Sequence, residues 1–239
     1  MRGEVSDAEA DLKTASRDTS IFERMPELVV YPQDTADVQA IVKEVRSAVS
    51  AGAMVSVTAR AAGTDMSGGP LTTSVVISFT KNMHKIVEVA ACRTPKEGGY
   101  AVTEPGVYYR DFEKATLAQG FILPSYPASR ELCAMGGIVA NNSGGERTLE
   151  YGKTEKYVEE LEVVLSDGSL ATFKALTPDE LEAKKSQKDF EGEIYRKMDA
   201  LLTKNAALIE EHRPKVSKNS AGYALWSVRD RYSDACLAT

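Results

Sequence analysis

The chain has 239 residues, 43% hydrophobic and 27% charged, enough apolar material for one large or two small domains with a buried core. Its 35 acidic against 29 basic side chains give a net charge of −6, the wrong balance for a nucleic-acid surface. Three widely spaced cysteines (Cys92, Cys133, Cys236) and two distant histidines (His84, His212) argue against a disulfide scaffold, a His-built metal site and a Ser–His–Asp triad.

Residues 1–20 are charged and Ala/Ser-rich and read as a polar leader, frayed or forming a short helix. Met1–Lys13 is too acidic for a signal peptide, and no apolar run reaches membrane-span length, so a cytoplasmic location is expected. Leu28–Tyr31 predicts a strand ended by Pro32. Asp34 then caps a helix whose Val38, Ile41, Val42, Val45 and Val49 recur at helical spacing, with Gly52 just past its end. Val55–Thr58 and Val75–Ser78 predict further strands on either side of a loop, Arg60–Gly69. Strand, helix, strand, loop, strand is the start of a parallel α/β unit.

Beyond it, Ile86–Ala90 and Tyr100–Thr103 predict strands joined by a polar turn containing Gly98 and Gly99, and Tyr109–Gln119 a helix closed by Gly120. An irregular stretch rich in Pro, Ser and Gly runs to Gly145. Glu160–Leu165 and Leu170–Lys174 predict a hairpin across Ser166–Ser169. Residues 178–212 read as helical, with Ile194, Met198, Leu201 and Leu202 on a packed face and Gln187–Gly192 as the nearest thing to a linker. Lys184, Lys185 and Lys188 read as a solvated helix face rather than a binding patch. The expected fold is α+β: a small parallel α/β lobe and a larger, mostly antiparallel sheet with helices, complete by residue 175, then a helical connector from 176.

Two small-residue loops carry the chemistry. The first reads Arg60-Ala61-Ala62-Gly63-Thr64-Asp65-Met66-Ser67-Gly68-Gly69 after an apolar strand. Small side chains let backbone N–H groups approach an anion, with Thr64 and Ser67 adding hydroxyls and Arg60 adding charge. It lacks the Walker Gly-Lys-Ser/Thr ending and the G-x-G-x-x-G fingerprint, and a flexible surface turn is the plain alternative. The second reads Gly136-Gly137-Ile138-Val139-Ala140-Asn141-Asn142-Ser143-Gly144-Gly145. Its apolar centre predicts burial, either with the glycines facing a large flat ligand or as a tight turn packed on a helix. Together the loops suggest a long ligand with a pyrophosphate and a planar ring.

In order along the chain, Val29-Val30-Tyr31-Pro32, the first loop, Glu104-Pro105-Gly106-Val107, Pro127-Ala128-Ser129, the second loop, Tyr151-Gly152 and Leu161–Gly168 resemble a known family. It is the PCMH-type FAD-binding domain of vanillyl-alcohol oxidase-type flavoproteins, in the branch of D-lactate, glycolate and D-2-hydroxyglutarate dehydrogenases. The resemblance covers about residues 19 to 225 and places the domain over 21–175.

It implies that the FAD pyrophosphate is held by Ala61, Ala62, Gly63, Thr64, Asp65, Met66, Ser67 and Gly68. It puts Ser129, Gly136, Gly137, Asn141, Ser143 and Gly145 on the flavin side. Pro32, Arg60, Pro127, Ala128, Ala140, Gly144, Tyr151 and Gly152 complete the expected cofactor contacts. Thr64 stands where some relatives carry a flavin-linking His, so attachment is expected to be non-covalent. Ala61 and Asp65 replace residues that are often Gly, which would strain any backbone needing positive φ there.

Lys218–Leu225 resembles the segment leading into the rest of such enzymes, while the Gly-Ser-x-Gly-Thr-Leu-Gly stretch and substrate cap do not follow. The chain is therefore expected to be the flavin part of an enzyme oxidising a D-2-hydroxy acid by hydride transfer to FAD, idle on its own. Its catalytic residues are unassigned, and a partner subunit or electron acceptor stands open. The alternatives are a non-catalytic flavin-binding subunit working with a partner chain, and a flavoenzyme like UDP-N-acetylenolpyruvylglucosamine reductase.

Overall fold

The computed structural model describes residues 1–91, 98–216, 219–220 and 222–229. Cys92 and Cys236, part of the turn before Gly98, and Lys218 and Ala221 of the C-terminal motif lie outside the described residues. Helices and strands alternate as β1 (Glu4–Ser6), α1 (Glu9–Ala15), β2 (Leu28–Tyr31), α2 (Thr35–Ser50), β3 (Val57–Arg60) and β4 (Val75–Ser78). These form one four-stranded sheet in the order β1-β2-β4-β3, with β2, β4 and β3 parallel and β1 antiparallel at the edge. Alternation along the strands supplies two faces. Val30, Val75 and Ile77 pack with Ile41 of α2, while Val29 and Val76 pack with Ala15 at the end of α1. The parallel unit is as the sequence pattern predicts, with β3 starting two residues later than expected.

Of the two readings of residues 1–20, the structure has the short helix: α1 covers the sheet, and β1, which the sequence did not suggest, pairs Glu4–Ser6 with Val29–Tyr31. The signal is non-local, because the Asp37 carboxylate at the start of α2 accepts the amides of Arg2 and Gly3, both at 2.7 Å. Asp34 caps α2 by accepting the Asp37 amide at 3.0 Å, and Gly52 follows with φ +94°.

The rest of the domain is built from two antiparallel ribbons and short helices: β5 (Ile86–Ala91) with β6 (Gly99–Thr103), and β7 (Glu160–Val164) with β8 (Leu170–Lys174). Between them lie α3 (Tyr109–Leu117), α4 (Met135–Ala140), α5 (Thr148–Tyr151) and a 3-10 turn, Thr154–Tyr157. Their core is Val107, Tyr109, Phe112, Leu123, Tyr126, Cys133 and Ile138. The buried Glu113 carboxylate takes a 2.5 Å hydrogen bond from Arg130, whose guanidinium also lies 4.6 Å from the Tyr126 ring centroid. The β7–β8 ribbon meets α2 where Gln39 donates to the Gly168 carbonyl at 2.9 Å.

Three helices follow: α6 (Pro178–Ser186), α7 (Phe190–Lys204) and α8 (Ala206–Glu211). A capping box between Thr177 and Glu180 starts α6, and Asp189 caps α7. The lysine-rich face is paired internally, Lys184 with Glu191 at 2.6 Å and Lys185 with Asp199 at 2.8 Å. Of the apolar stripe expected on α7, Leu202 is buried, but Met198 and Leu201 are exposed.

Candidate functional site

Three parallel strands end on the same side of a sheet, and the loop after β3 occupies that edge, the usual place for a ligand in open parallel sheets. The left-handed positions in this loop are Gly63 (φ +69°) and Gly68 (φ +85°). Ala61 and Asp65 are on the ordinary side of φ, so the strain expected at them does not arise. Gly63 is required for space as well: a Cβ there would fall 2.1 Å from an Arg60 guanidinium nitrogen.

Arg60 does not point its charge at an open anion site as expected. Its guanidinium donates to the carbonyls of Arg17 (2.7 Å), Thr14 and Ala15 (both 3.4 Å), gathering the end of α1. Burial pulls its pKa below the ordinary value, against the opposing fields of Asp18 and Tyr31. The same strap continues through Thr19, whose amide donates to the Asp65 carbonyl at 3.0 Å and whose hydroxyl reaches the carbonyls of Thr64 and Asp65. Phe22 lies over Gly68. The leader thus braces the first loop.

Among the described residues, the amides of Ala61, Ala62, Gly63, Thr64 and Asp65 have no acceptor. Ala62, Gly63 and Thr64 line a cleft of about 380 Å³ together with Arg17, Asp18 and Arg60. Its other wall is Tyr108, Arg110 and Leu132, from the start of α3 and the turn before α4. Arg110 stacks on Tyr108, 4.3 Å from the ring centroid, and donates to the Glu131 carbonyl at 2.5 Å. A row of free amides on small residues suits a phosphate-bearing group, and the guanidinium groups add positive field rather than free donors, since Arg60 is spent on carbonyls and Arg17 pairs with Glu23 at 2.8 Å.

The second loop is another correction. Met135–Ala140 is a helical turn and a half, and its backbone is mostly satisfied by the chain itself. Met135 donates to the Val107 carbonyl and Gly136 to that of Pro105, both at 2.8 Å, which docks α4 onto the Pro105–Val107 segment. Two consecutive glycines disfavour a helix from propensity alone, but burial of Ile138 and these strand-like bonds outweigh them. Most of the glycines are needed for packing: a Cβ would meet Pro105 from Gly136, Thr148 from Gly144, and the Tyr126 carbonyl at 2.1 Å from Gly145. This is the tight-turn alternative for those three positions. Gly137 differs. Its amide has no acceptor among the described residues, and a Cβ there would lie 3.5 Å from the Ala61 Cβ. The two loops, far apart in sequence, therefore meet at Gly137 and Ala61.

The remaining expected residues divide. Asn141 donates to Ser143 at 3.1 Å, and the buried Ser143 carbonyl takes the Thr154 amide and hydroxyl, which fixes this turn. Ala140 closes α4 and is exposed. Pro127 touches Gly145, Ala128 is exposed, and the Ser129 carbonyl takes the amides of Leu132 and Cys133. Tyr151 and Gly152 end α5, with the Tyr151 carbonyl accepting Tyr157. Met66 is 80% exposed, while Ser67 and Gly68 donate to carboxylates. Pro32 is fully buried beneath Gly3 and offers no surface to the cleft.

Sequence reasoning missed Arg17, Asp18, Thr19, Tyr108, Arg110 and Leu132 on the cleft, because their contacts span 43 residues or more or come from unremarkable turns. It also missed Ser125, two residues before the Pro127–Ser129 turn, whose hydroxyl is buried with no partner among the described residues.

Comparison with known proteins gives this geometry a context. The profile of the FAD binding domain family matches residues 26–174. D-2-hydroxyglutarate dehydrogenase of Escherichia coli (strain K12) is 26% identical over 223 residues, covering 93% of this chain and 21% of that protein. The glycolate oxidase subunit GlcD of Bacillus subtilis (strain 168) is 32% identical over 154 residues, 64% of this chain and 30% of the other. The chain thus spans about a fifth to a third of these relatives. Among solved structures, an alkyldihydroxyacetonephosphate synthase superposes with a TM-score of 0.59 at 19% identity, covering 79% of this chain and 34% of that one. A Physcomitrella patens BBE-like 1 variant gives 0.58 at 18% identity over 75% and 37%. These likenesses confirm the α+β architecture.

Proposed function

This chain belongs to the FAD binding domain family, and from that premise we propose that Ala61–Gly68 holds the diphosphate of FAD while Gly137 and the 127–129 and 141–145 turns border its flavin end. The observation that carries the reading is the row of amides from Ala61 to Asp65, unpartnered among the described residues, of which Ala62, Gly63 and Thr64 line the Arg17–Arg60–Arg110 cleft while Ala61 lies beside Gly137. The fit is chemical: free amides on small residues satisfy phosphate oxygens, and the nearby guanidinium groups add positive field. Thr64 stands where some relatives carry a flavin-linking His and offers no imidazole for such a link, which supports a non-covalently held cofactor.

FAD supplies the hydride acceptor for oxidation of a hydroxy acid, and the relatives named as D-2-hydroxyglutarate, D-lactate and glycolate enzymes support a D-2-hydroxy acid as substrate. The chain's own residues bind and orient: α4 is pinned by Val107 and Pro105, and the leader braces the phosphate loop. Among the described residues Asp18 is the one carboxylate lining the cleft, and it is engaged by the Gly68 amide. Proton abstraction from the substrate is assigned to groups outside this cleft, so the chain alone binds FAD without turnover.

The test is co-elution of purified protein with FAD, read by visible absorbance. Wild type is expected to retain flavin bands that acid releases from the polypeptide. Gly63→Val and Gly137→Val are expected to lose them while keeping the far-UV circular dichroism of the wild type. Unchanged FAD uptake in both variants refutes the assignment.

A further inference from the structure

The loop assigned to the diphosphate is half open and half closed. Beyond the free amides of Ala61–Asp65, its second half is closed by the chain's own carboxylates. Asp65 Oδ2 accepts the Ser67 amide at 3.0 Å, the Ser67 hydroxyl at 2.8 Å and the Gly69 amide at 2.7 Å. Asp18 Oδ2 accepts the intervening Gly68 amide at 3.0 Å. Three consecutive amides, of the kind that together make an anion nest, therefore end on internal anions. Partial burial pushes the Asp65 carboxyl up, but the bonds from Gly69, Ser67 and Met66 outweigh it and hold the group below its ordinary value.

We propose that Asp65, seconded by Asp18, is an affinity-setting residue: an internal anion that occupies the second half of the loop and weakens its hold on the diphosphate of a dinucleotide. This rests on the reading of Ala61–Gly68 as the phosphate site. Two consequences follow from charge. The carboxylates remove donors that the phosphates would otherwise use. They also set a negative charge beside a doubly negative ligand, offsetting part of the attraction from Arg17, Arg60 and Arg110. A purely structural role for Asp65, holding the Ser67–Gly69 turn in shape, predicts no gain in ligand affinity when the turn's acceptor is kept and its charge removed. Asn at position 65 separates the two, because its amide oxygen still accepts the same N–H groups while the charge is gone.

The experiment is a titration of the full chain with FAD, and separately with riboflavin, which lacks the diphosphate, at low and high salt. A unit charge roughly 7 Å from a diphosphate, at near-aqueous permittivity, changes Kd by about two- to tenfold. Asp65→Asn is expected to bind FAD tighter by that factor at low salt, with the gain shrinking toward none near 1 M salt and no gain for riboflavin. Equal or weaker FAD binding by Asp65→Asn, an equal gain for riboflavin, or a gain indifferent to salt overturns the inference. Gly63→Val keeps the two levels apart. If it abolishes FAD binding while Asp65→Asn fails to tighten it, the phosphate site stands and the inference alone falls. If Gly63→Val leaves FAD binding unchanged, or no form of the chain takes up FAD, the phosphate site falls and the inference with it.

Discussion

Replacing Ile138 tests whether α4 is held by the core or merely lies on it. Ile138 is 1% exposed and packs among Val107, Tyr109, Phe112, Leu123, Tyr126 and Cys133, while its carbonyl accepts the Ser143 amide at 2.9 Å. Ile138→Ala removes three carbon atoms; at ~0.8 kcal/mol for each, the transfer loss is about 2.4 kcal/mol. The cavity left behind adds to this, bringing the expected cost to about 3–4 kcal/mol. For a chain of this size that corresponds to a fall in Tm of roughly 6–16 °C. Ile138→Val should cost about 1 kcal/mol. Leu149→Ala, at a side chain 77% exposed, should stay within about 0.5 kcal/mol of wild type. Equilibrium unfolding in urea, followed by circular dichroism, gives all three values, and the slope should not change. Ile138→Ala should also weaken FAD, since Gly137 adjoins Ile138. If Ile138→Ala and Leu149→Ala differ by less than about 0.5 kcal/mol, α4 is not anchored by that core, and the positioning of Gly137 argued from it is wrong.

Asp37→Ala should cost about 1–2 kcal/mol through lost acceptors for the Arg2, Gly3 and Gln33 amides, read as faster amide exchange over residues 2–6. Burial pushes this carboxyl up, but the bonded amides hold it below its ordinary value. The stability it contributes is therefore present above the unfolded-state pKa and lost as pH falls through the folded one; Asp37→Asn should flatten that acid limb, and an unchanged limb would count against it. Arg60→Lys loses the fork that gathers three carbonyls, so limited proteolysis near Arg17–Phe22 should accelerate several-fold; no change would mean that the strap does not depend on Arg60. Gly145→Ala forces a methyl to 2.1 Å from the Tyr126 carbonyl and should destabilise by more than about 2 kcal/mol. Gly120→Ala, in open space at φ +81°, should cost about 1 kcal/mol, and a reversed order in thermal melts would refute the packing argument. Burial pushes the Cys133 thiol up, with its bond to Ser129 opposing, so iodoacetamide followed by peptide mapping should label Cys133 only after unfolding.

The parallel lobe was legible because its information is local. The runs at Leu28–Tyr31 and Val75–Ser78, the Asp34 cap and the glycine past α2 each sit within a few residues of the structure they specify. The two small-residue loops were legible as small, and their meeting at Gly137 and Ala61 agrees with a shared ligand. What the pattern could not convey is which amides remain free. That depends on Asp18 reaching Gly68, fifty residues away, and on Asp65 turning back onto its own loop. The strand at Glu4–Ser6 was hidden for the same reason: its partner and the Asp37 carboxylate that fixes it are both remote in sequence. At Gly136 and Gly137, glycine's poor helix propensity pointed to a loop, and burial of one isoleucine decided otherwise.

The contact between Ala61 and Gly137 has a consequence in time. During synthesis the parallel strands and the first loop can leave the ribosome and pair while α4 does not yet exist. At roughly 5–20 residues per second, the intervening ~75 residues take about 4–15 s to appear. Through that interval the nascent chain presents its row of bare amides without the Gly137 side of the site. The order of events is thus written into the connectivity: a half-built cradle first, and its far border seconds later.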